Sequence, residues 1–493
     1  MADNYWYKKT NKKSLHNIDT FYYSVKLEED FTVESKDSAV LAVRNMIKKA
    51  DLLKDGEIFN PVDHDFEVYY KAGTFARFYS FRLEAPEKFD FFFAPSVPVN
   101  VETNTSLTSE IVVQLRSRYL WENGCKLAFD ESLKFVVAFC EKYNLHIQEI
   151  KENRCDFCWH TNILQNPETY LRIDNFSKMQ VSRFKRVQFA YQLKSNDEYE
   201  NDYIALGNRG DKCFLRMYLK TKEVVEQGYK GWFFYVWLFN GLISRYDLYC
   251  LEEAYKNRSW KYLDVARVKF ALENIEEINP TDRQEMQILV DAKPFDYDRL
   301  LFFARKYTPE ITKILNVEFQ VMRKMTKSFQ LVEFKDNAGL CKRIYDFLDN
   351  RKLITDYLTH YTFRLVAPSL DLNKSRANYV DFWRRIRATK QVDVAANKHD
   401  LKLIRDYTSK LNMEIRKTKA IKAISNVAMM MTQNPDTTLF EDAAELLSIM
   451  NDNDFRNLHN YKYHKIKDIK DDPIELTKRL SVTMIDRDTG EIL

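Results

Sequence analysis

The chain is 493 residues long with 45% hydrophobic and 30% charged residues, which excludes a disordered polyelectrolyte and leaves room for about two to four globular domains. Only 10 residues are glycine, and neither G-x-x-x-x-G-K-[ST] nor G-x-G-x-x-G occurs, which argues against a P-loop NTPase and a dinucleotide-binding fold. The formal charge is +4, from 76 Lys+Arg against 72 Asp+Glu, so a nucleic-acid surface has to come from local clustering.

Residues 1–38 are polar and aromatic by turns, with Lys8, Lys9, Lys12 and Lys13 early, and are expected to form an arm. The first residues lack the apolar run of a signal peptide, and nowhere are there about 18 consecutive apolar residues to span a bilayer. Seven cysteines, an odd number spread from Cys125 to Cys341, do not read as a disulfide framework. A reducing cytoplasm is expected.

Apolar residues at helical spacing predict a helix from Ser38 to Leu53. The runs EVYYKA, RFYSFRLEA and FDFFFA between Phe66 and Glu102 predict short strands. IVVQLRSRYLW is a further strand candidate, followed by a turn at Glu122-Asn123-Gly124. A helix capped by Asp130 fits Leu133, Val136, Val137 and Cys140 at spacings of three and four. Strands and helices continue to about Pro280, giving an α+β region of residues 39–280. Beyond it the periodicity is helical almost throughout, so residues 281–493 are expected to form a separate, mostly helical domain.

Three segments carry candidate chemistry. In Arg154-Cys155-Asp156-Phe157-Cys158-Trp159-His160, strand periodicity puts Arg154, Asp156, Cys158 and His160 on one face and Cys155, Phe157 and Trp159 on the other. The same period weakens a zinc reading of the C-x-x-C, because the two thiols point apart. In Tyr203 to Lys220, an Asn-Arg-Gly-Asp turn joins two strands, and the second places Phe214, Arg216, Tyr218 and Lys220 on one face; Arg and Lys beside tyrosines suit a phosphodiester. In Ile243 to Leu251, read as a strand, Arg245 and Asp247 share a face with Tyr249. A carboxylate from each of two strands, Asp156 and Asp247, is what a hard divalent ion needs, which suggests metal-assisted phosphodiester chemistry. The plainer alternative is two structural ion pairs. No His-hydrophobe-His pair, G-x-S-x-G elbow or H-E-x-x-H helix is present.

Taken in order, these pieces resemble the replication initiation factor family, the Rep-trans rolling-circle plasmid initiators and related relaxases of integrative conjugative elements. The resemblance rests on Gly124-Cys125, the helix around Asp130, the R-x-D strand of Arg154 and Asp156, the hairpin from Tyr203 to Gly210 running into Arg216, Tyr218 and Lys220, and Arg245 with Asp247. It covers roughly residues 105–260. It implies an α+β catalytic domain with a curved, mostly antiparallel sheet, and nicking of one origin strand by a tyrosine that becomes linked to the 5′ phosphate. It also implies Mg²⁺ or Mn²⁺ on acidic residues, taken as Asp156 and Asp247 with His160 as a third ligand or a base. Tyr203, which opens the hairpin, is the expected nucleophile, with Tyr218 in reserve and Tyr246 or Tyr249 behind them. Arg216, Lys220 and Arg245 would handle the phosphate. A conjugative relaxase and a non-catalytic DNA-binding protein are the alternatives.

From Lys374 to Lys422 fourteen Lys/Arg stand against five Asp/Glu. This stretch, with aromatics interleaved, is expected to be a helical DNA-contacting region through Lys402, Arg405, Arg416, Lys417 and Lys419, with Arg209 contributing from the hairpin turn. Expected partners are origin DNA and a host helicase, with a homodimer as the assembly to test for and no membrane.

Overall fold

The computed structural model describes residues 3–391 and 403–405, apart from 8–11, 64–65, 75–78, 98, 101–104, 107, 194–198, 327–328, 332–341 and 369–373. The fold is α+β. Two compact units are present, one made of Met1–Met325 and Asp336–Asp400, the other of Thr326–Lys335 and Leu401–Leu493. The first contains a ten-stranded sheet. In chain order its strands are β1 (Ser14–Leu27), β2 (Tyr69–Tyr70), β3 (Phe81–Ala85), β4 (Phe89–Phe93), β5 (Ile111–Leu115), β6 (Ile147–Thr161), β7 (Val187–Leu193), β8 (Tyr199–Leu206), β9 (Cys213–Leu219) and β10 (Leu315–Met322). Their order across the sheet is β7-β8-β9-β10-β6-β1-β5-β4-β3-β2, and every pairing is antiparallel.

The segment expected to be an arm instead supplies β1, at the centre of the sheet between β6 and β5. Ile18, Phe21, Tyr23 and Val25 are buried on it, and so are His16, Asn17, Asp19 and Ser24. A strand covered on both faces loses the polar-out alternation that marks a half-exposed one. β10 likewise lies beyond residue 280, yet pairs with β9 and β6, so the sheet does not end where helical periodicity begins.

Helices cover the sheet where its apolar rows demand it. Phe89, Phe91 and Phe93 alternate on β4 and meet Phe135 and Phe139 of the helix Cys125–Lys142, with ring centroids 5.0–5.8 Å apart. Burial of such a ring contributes roughly 1.5–3 kcal/mol. Asp130 lies inside that helix rather than at its start, and accepts a hydrogen bond from Tyr345 at 2.6 Å. Between β9 and β10 the chain is helical from Lys220–Gln227 through Trp232–Phe239, Arg245–Lys256, Tyr262–Asn274, Pro280–Asp291 and Tyr297–Tyr307. These helices share an apolar cluster that includes Phe234, Trp237, Tyr246, Phe270 and Phe303.

The segment Arg245–Leu251 is therefore a helix, where alternation predicts a strand. Ser244 accepts from the backbone N–H of Asp247, and Asp247 accepts from the backbone N–H of Ser244, a capping box. Tyr246, Cys250, Leu251 and Ala254 then fall on one buried helical face. In the second unit, Leu403–Arg405 is a short strand paired with Phe329–Leu331, where the sequence predicts helix. No helix among the described residues is long and apolar enough to cross a membrane.

Candidate active site

Register builds the site. On one face of the sheet Tyr203 of β8 stands opposite Tyr218 of β9, Tyr218 opposite Asn316 of β10, and Asn316 opposite His160 of β6. One step along, Arg216 stands opposite Glu318, and Glu318 opposite Cys158. The next row pairs Phe214 with Gln320 and Gln320 with Asp156. Because side chains alternate with period two, these rows project to the same side.

The centre of the face is the Tyr218 hydroxyl. It donates to Glu318 Oε2 at 3.1 Å and accepts from Asn316 Nδ2 at 2.9 Å and from Lys220 Nζ at 3.3 Å. Glu318 is buried and also takes Arg216 Nη2 and, at 3.1 Å, Asn316 Nδ2. Lys220, buried at the first residue of its helix, reaches Glu223 at 2.5 Å. Burial would lower the Lys220 ammonium, but Tyr218, Asp19, Glu223 and Glu318 together hold it well above its usual range. Burial, reinforced by the Glu318 charge, pushes the Tyr218 phenol well up. The resting group is thus a neutral phenol bonded to a carboxylate, with a charged lysine beside its oxygen.

Two further carboxylates complete the electrostatics. Asp156, buried, receives Arg154 Nε at 2.8 Å and Nη2 at 2.5 Å. Burial raises its carboxyl from the ordinary 3.8 to about 6; Arg154 opposes the rise and Glu318 adds to it. Asp19 accepts from Ser117 and sits 3.4 Å from Lys230. Burial alone would raise it, but Lys230 and Lys220 hold it well below the carboxylate range.

Tyr218 and Arg216 face a cleft of about 490 Å³ whose walls include Tyr203, Arg209, Phe214, Lys222 and Glu226. Arg209 is exposed on the turn, and its backbone carbonyl accepts from Gln320 Nε2 at 2.8 Å. Gly207 holds the turn at φ +84°, and a Cβ there would meet Phe184 and the Cys213 carbonyl at 3.0 and 3.1 Å. Glycine is required at this point.

The fold brings together Asp156, Arg216, Tyr218, Lys220, Tyr203 and Arg209, but not Asp247, Arg245 or a usable His160. Asp247 is buried at the cap, where Ser244 and Thr312 fill both its oxygens at 2.8–2.9 Å. It therefore does not join Asp156, and the pair of R-x-D strands is corrected to one strand and one helix start. Arg245 lies over the Tyr5 ring at 4.4 Å and does not line the cleft. His160 is fully buried, stacked on Trp121, and accepts from Trp237 Nε1 at 3.1 Å. Burial and the nearby Lys220 and Lys230 push its imidazole well below the usual range, so it is neutral and shielded from the cleft. Tyr246 and Tyr249 bond to Pro309 and Glu273 instead. Lys402, Arg416, Lys417 and Lys419 lie outside the described residues, as does the Arg405 side chain.

The donor set does not fit a resident divalent cation. Asp156 and Glu318 already hold arginines, and among the described residues no group of three or more His, Cys, Asp or Glu side chains is arranged for a metal. Glu318 and Asn316 escaped the sequence reading. Asn316, Glu318 and Gln320 alternate with Val317, Phe319 and Val321, a period-two signal masked by the helical stretches on either side.

No family model matches the chain, and no curated protein matches it. Among solved structures it is similar to a rolling circle replication initiator protein from Geobacillus stearothermophilus, at 10% identity and a TM-score of 0.34, over 76% of this chain and 96% of that chain. A likeness at that level carries no weight for the chemistry.

Proposed function

We propose that the chain is a DNA-nicking and strand-transfer enzyme of the rolling-circle initiator type, acting through a tyrosine ester of the 5′ phosphate. The observation that supports this is the Tyr218 hydroxyl, bonded to a buried carboxylate and approached by Lys220 and Asn316 at the wall of a cleft that also presents Arg216 and Arg209. A phenol held this far above its usual range is a poor nucleophile without a base, and Glu318 supplies one.

In the reaction proposed, the phenolic proton passes to Glu318 as the Tyr218 oxygen forms its bond to phosphorus. The bond from phosphorus to the 3′ oxygen breaks, and that oxygen leaves with the electron pair and takes a proton from solvent. Lys220 and Asn316 stabilise charge on the attacking oxygen, and Arg216 and Arg209 take the non-bridging oxygens. Tyr203, expected from sequence to attack, has no such base and serves as a cleft wall, placed to stack on a base beside the scissile phosphate.

The test is incubation with a pool of single-stranded oligonucleotides of random sequence, with Mg²⁺, with Mn²⁺ and with EDTA, scored for cleavage. Cleavage lost in Tyr218→Phe, kept in Tyr203→Phe and persisting in EDTA is the expected pattern. Cleavage lost only in Tyr203→Phe returns the nucleophile to the hairpin strand. Binding without cleavage by the wild type establishes the non-catalytic alternative, which the pre-neutralised carboxylates also favour. Whether the physiological role is replication or conjugative transfer is read from the strand captured.

A further inference from the structure

On the opposite face of the sheet from Tyr218 lies a second, more enclosed cavity of about 300 Å³, within the size range of small-molecule sites. Its floor is Trp159 and His16, stacked with centroids 3.9 Å apart and planes 2° from parallel. Ile386, Thr355 and Thr359 wall it, and Lys352, Arg387 and Lys390 stand around it with a single carboxylate, Asp356.

Its polar groups are unbalanced. Gln391 Nε2 bonds His16 Nε2 at 2.8 Å, and His16 Nδ1 bonds the Cys158 carbonyl at 2.8 Å. With the amide donating, the imidazole is neutral and its proton is on Nδ1. Thr355, Thr359 and Thr389 spend their hydroxyl protons on backbone carbonyls of their own helices. Asp356 is taken by Lys352 at 2.6 Å. Two buried donors are left over: the indole N–H of Trp159, itself 1% exposed, and the Nε–H of Arg387 find no acceptor among the described residues. Unsatisfied buried donors are costly, about 1–3 kcal/mol each, and two of them on one cavity wall with three cations call for a ligand rich in acceptors.

We infer that this cavity binds a small organic anion of nucleoside monophosphate size, with a flat acceptor-bearing ring against Trp159 and its anionic group on Arg387 and Lys390. The volume leaves room for one such molecule. Excess positive charge selects the anion, and the orphaned indole N–H selects a ring acceptor that inorganic phosphate lacks. The inference stands apart from the nicking chemistry, since the sheet separates the two sites.

Titration calorimetry on the full chain with deoxyadenosine monophosphate, deoxycytidine monophosphate, inorganic phosphate and deoxyadenosine tests it. The inference predicts saturable binding of a monophosphate, with phosphate alone and the neutral nucleoside each weaker by about tenfold or more, the scale of one lost charge-assisted contact. Arg387→Gln and Lys390→Gln should each weaken binding about tenfold, and Trp159→Phe should abolish discrimination against phosphate. If Trp159→Phe fails to fold, the two cation variants decide. No binding of either monophosphate at millimolar concentration, or binding unchanged in Arg387→Gln and Lys390→Gln, overturns the assignment.

Discussion

The buried Asp156 carboxyl makes a signed, measurable demand on stability. Its shift from 3.8 to about 6 is about two units, worth about 3 kcal/mol at ~1.4 kcal/mol per unit. An aspartate that titrates higher in the folded than in the unfolded state binds protons more tightly when folded, so stability falls as pH rises between those two values. Arg154, Glu318 and Arg216 are the charges that face it, and all three stay ionised across the upper part of this window. Asp19 is shifted in the opposite direction and masks the effect in the wild type alone. The clean comparison is with Asp156→Asn, in which Asp19 and every other group are common to both proteins. Urea denaturation at several pH values from about 4 to about 7 should show wild type losing about 3 kcal/mol relative to the variant. Removal of the carboxylate also strands Arg154, but that offset does not depend on pH in this range. A difference between the two proteins that stays flat within about 0.5 kcal/mol would refute the burial argument.

Asp247→Ala should destabilise the chain by about 2–4 kcal/mol, because it removes the cap of the Arg245–Lys256 helix and orphans the buried Thr312 N–H; cleavage per folded molecule, measured beside thermal unfolding, should be unchanged. Gly207→Ala should cost about 1–3 kcal/mol, since φ is +84° and its Cβ would press on Phe184 and a backbone carbonyl. Glu318→Gln, which keeps shape and removes the base, should leave urea stability lower by about 3 kcal/mol through the stranded Arg216 and Lys220. The same variant should slow cleavage by about 10²–10⁴; cleavage at the wild-type rate would remove Glu318 from the mechanism.

Much of the sheet was legible where one face is dry and the other wet. Cys155, Phe157 and Trp159 against Arg154, Asp156 and His160 predict β6 and its two faces, and the Asn-Arg-Gly-Asp turn predicts the β8–β9 hairpin. What failed did so for identifiable reasons. β1 is buried on both faces and shows no alternation. The Arg245 segment alternates by coincidence over a few residues, while its true signal, Ser244 three residues before Asp247, is a capping pattern. Glu318 could not be paired with Arg216 from sequence, because 102 positions separate them and the intervening chain is helical. Local pattern finds the strands, but register across β9 and β10 assembles the site.

The central claim is that Tyr218, with Glu318 as its base, is the group that attacks DNA. Its most direct measurement is mass spectrometry of the proteolysed covalent adduct formed with the random single-stranded pool. The account predicts a nucleotide-linked peptide that spans Cys213–Leu219 with the modification on Tyr218, absent from Tyr218→Phe. A modification on Tyr203 or any other tyrosine, or an undiminished adduct in Tyr218→Phe, contradicts it.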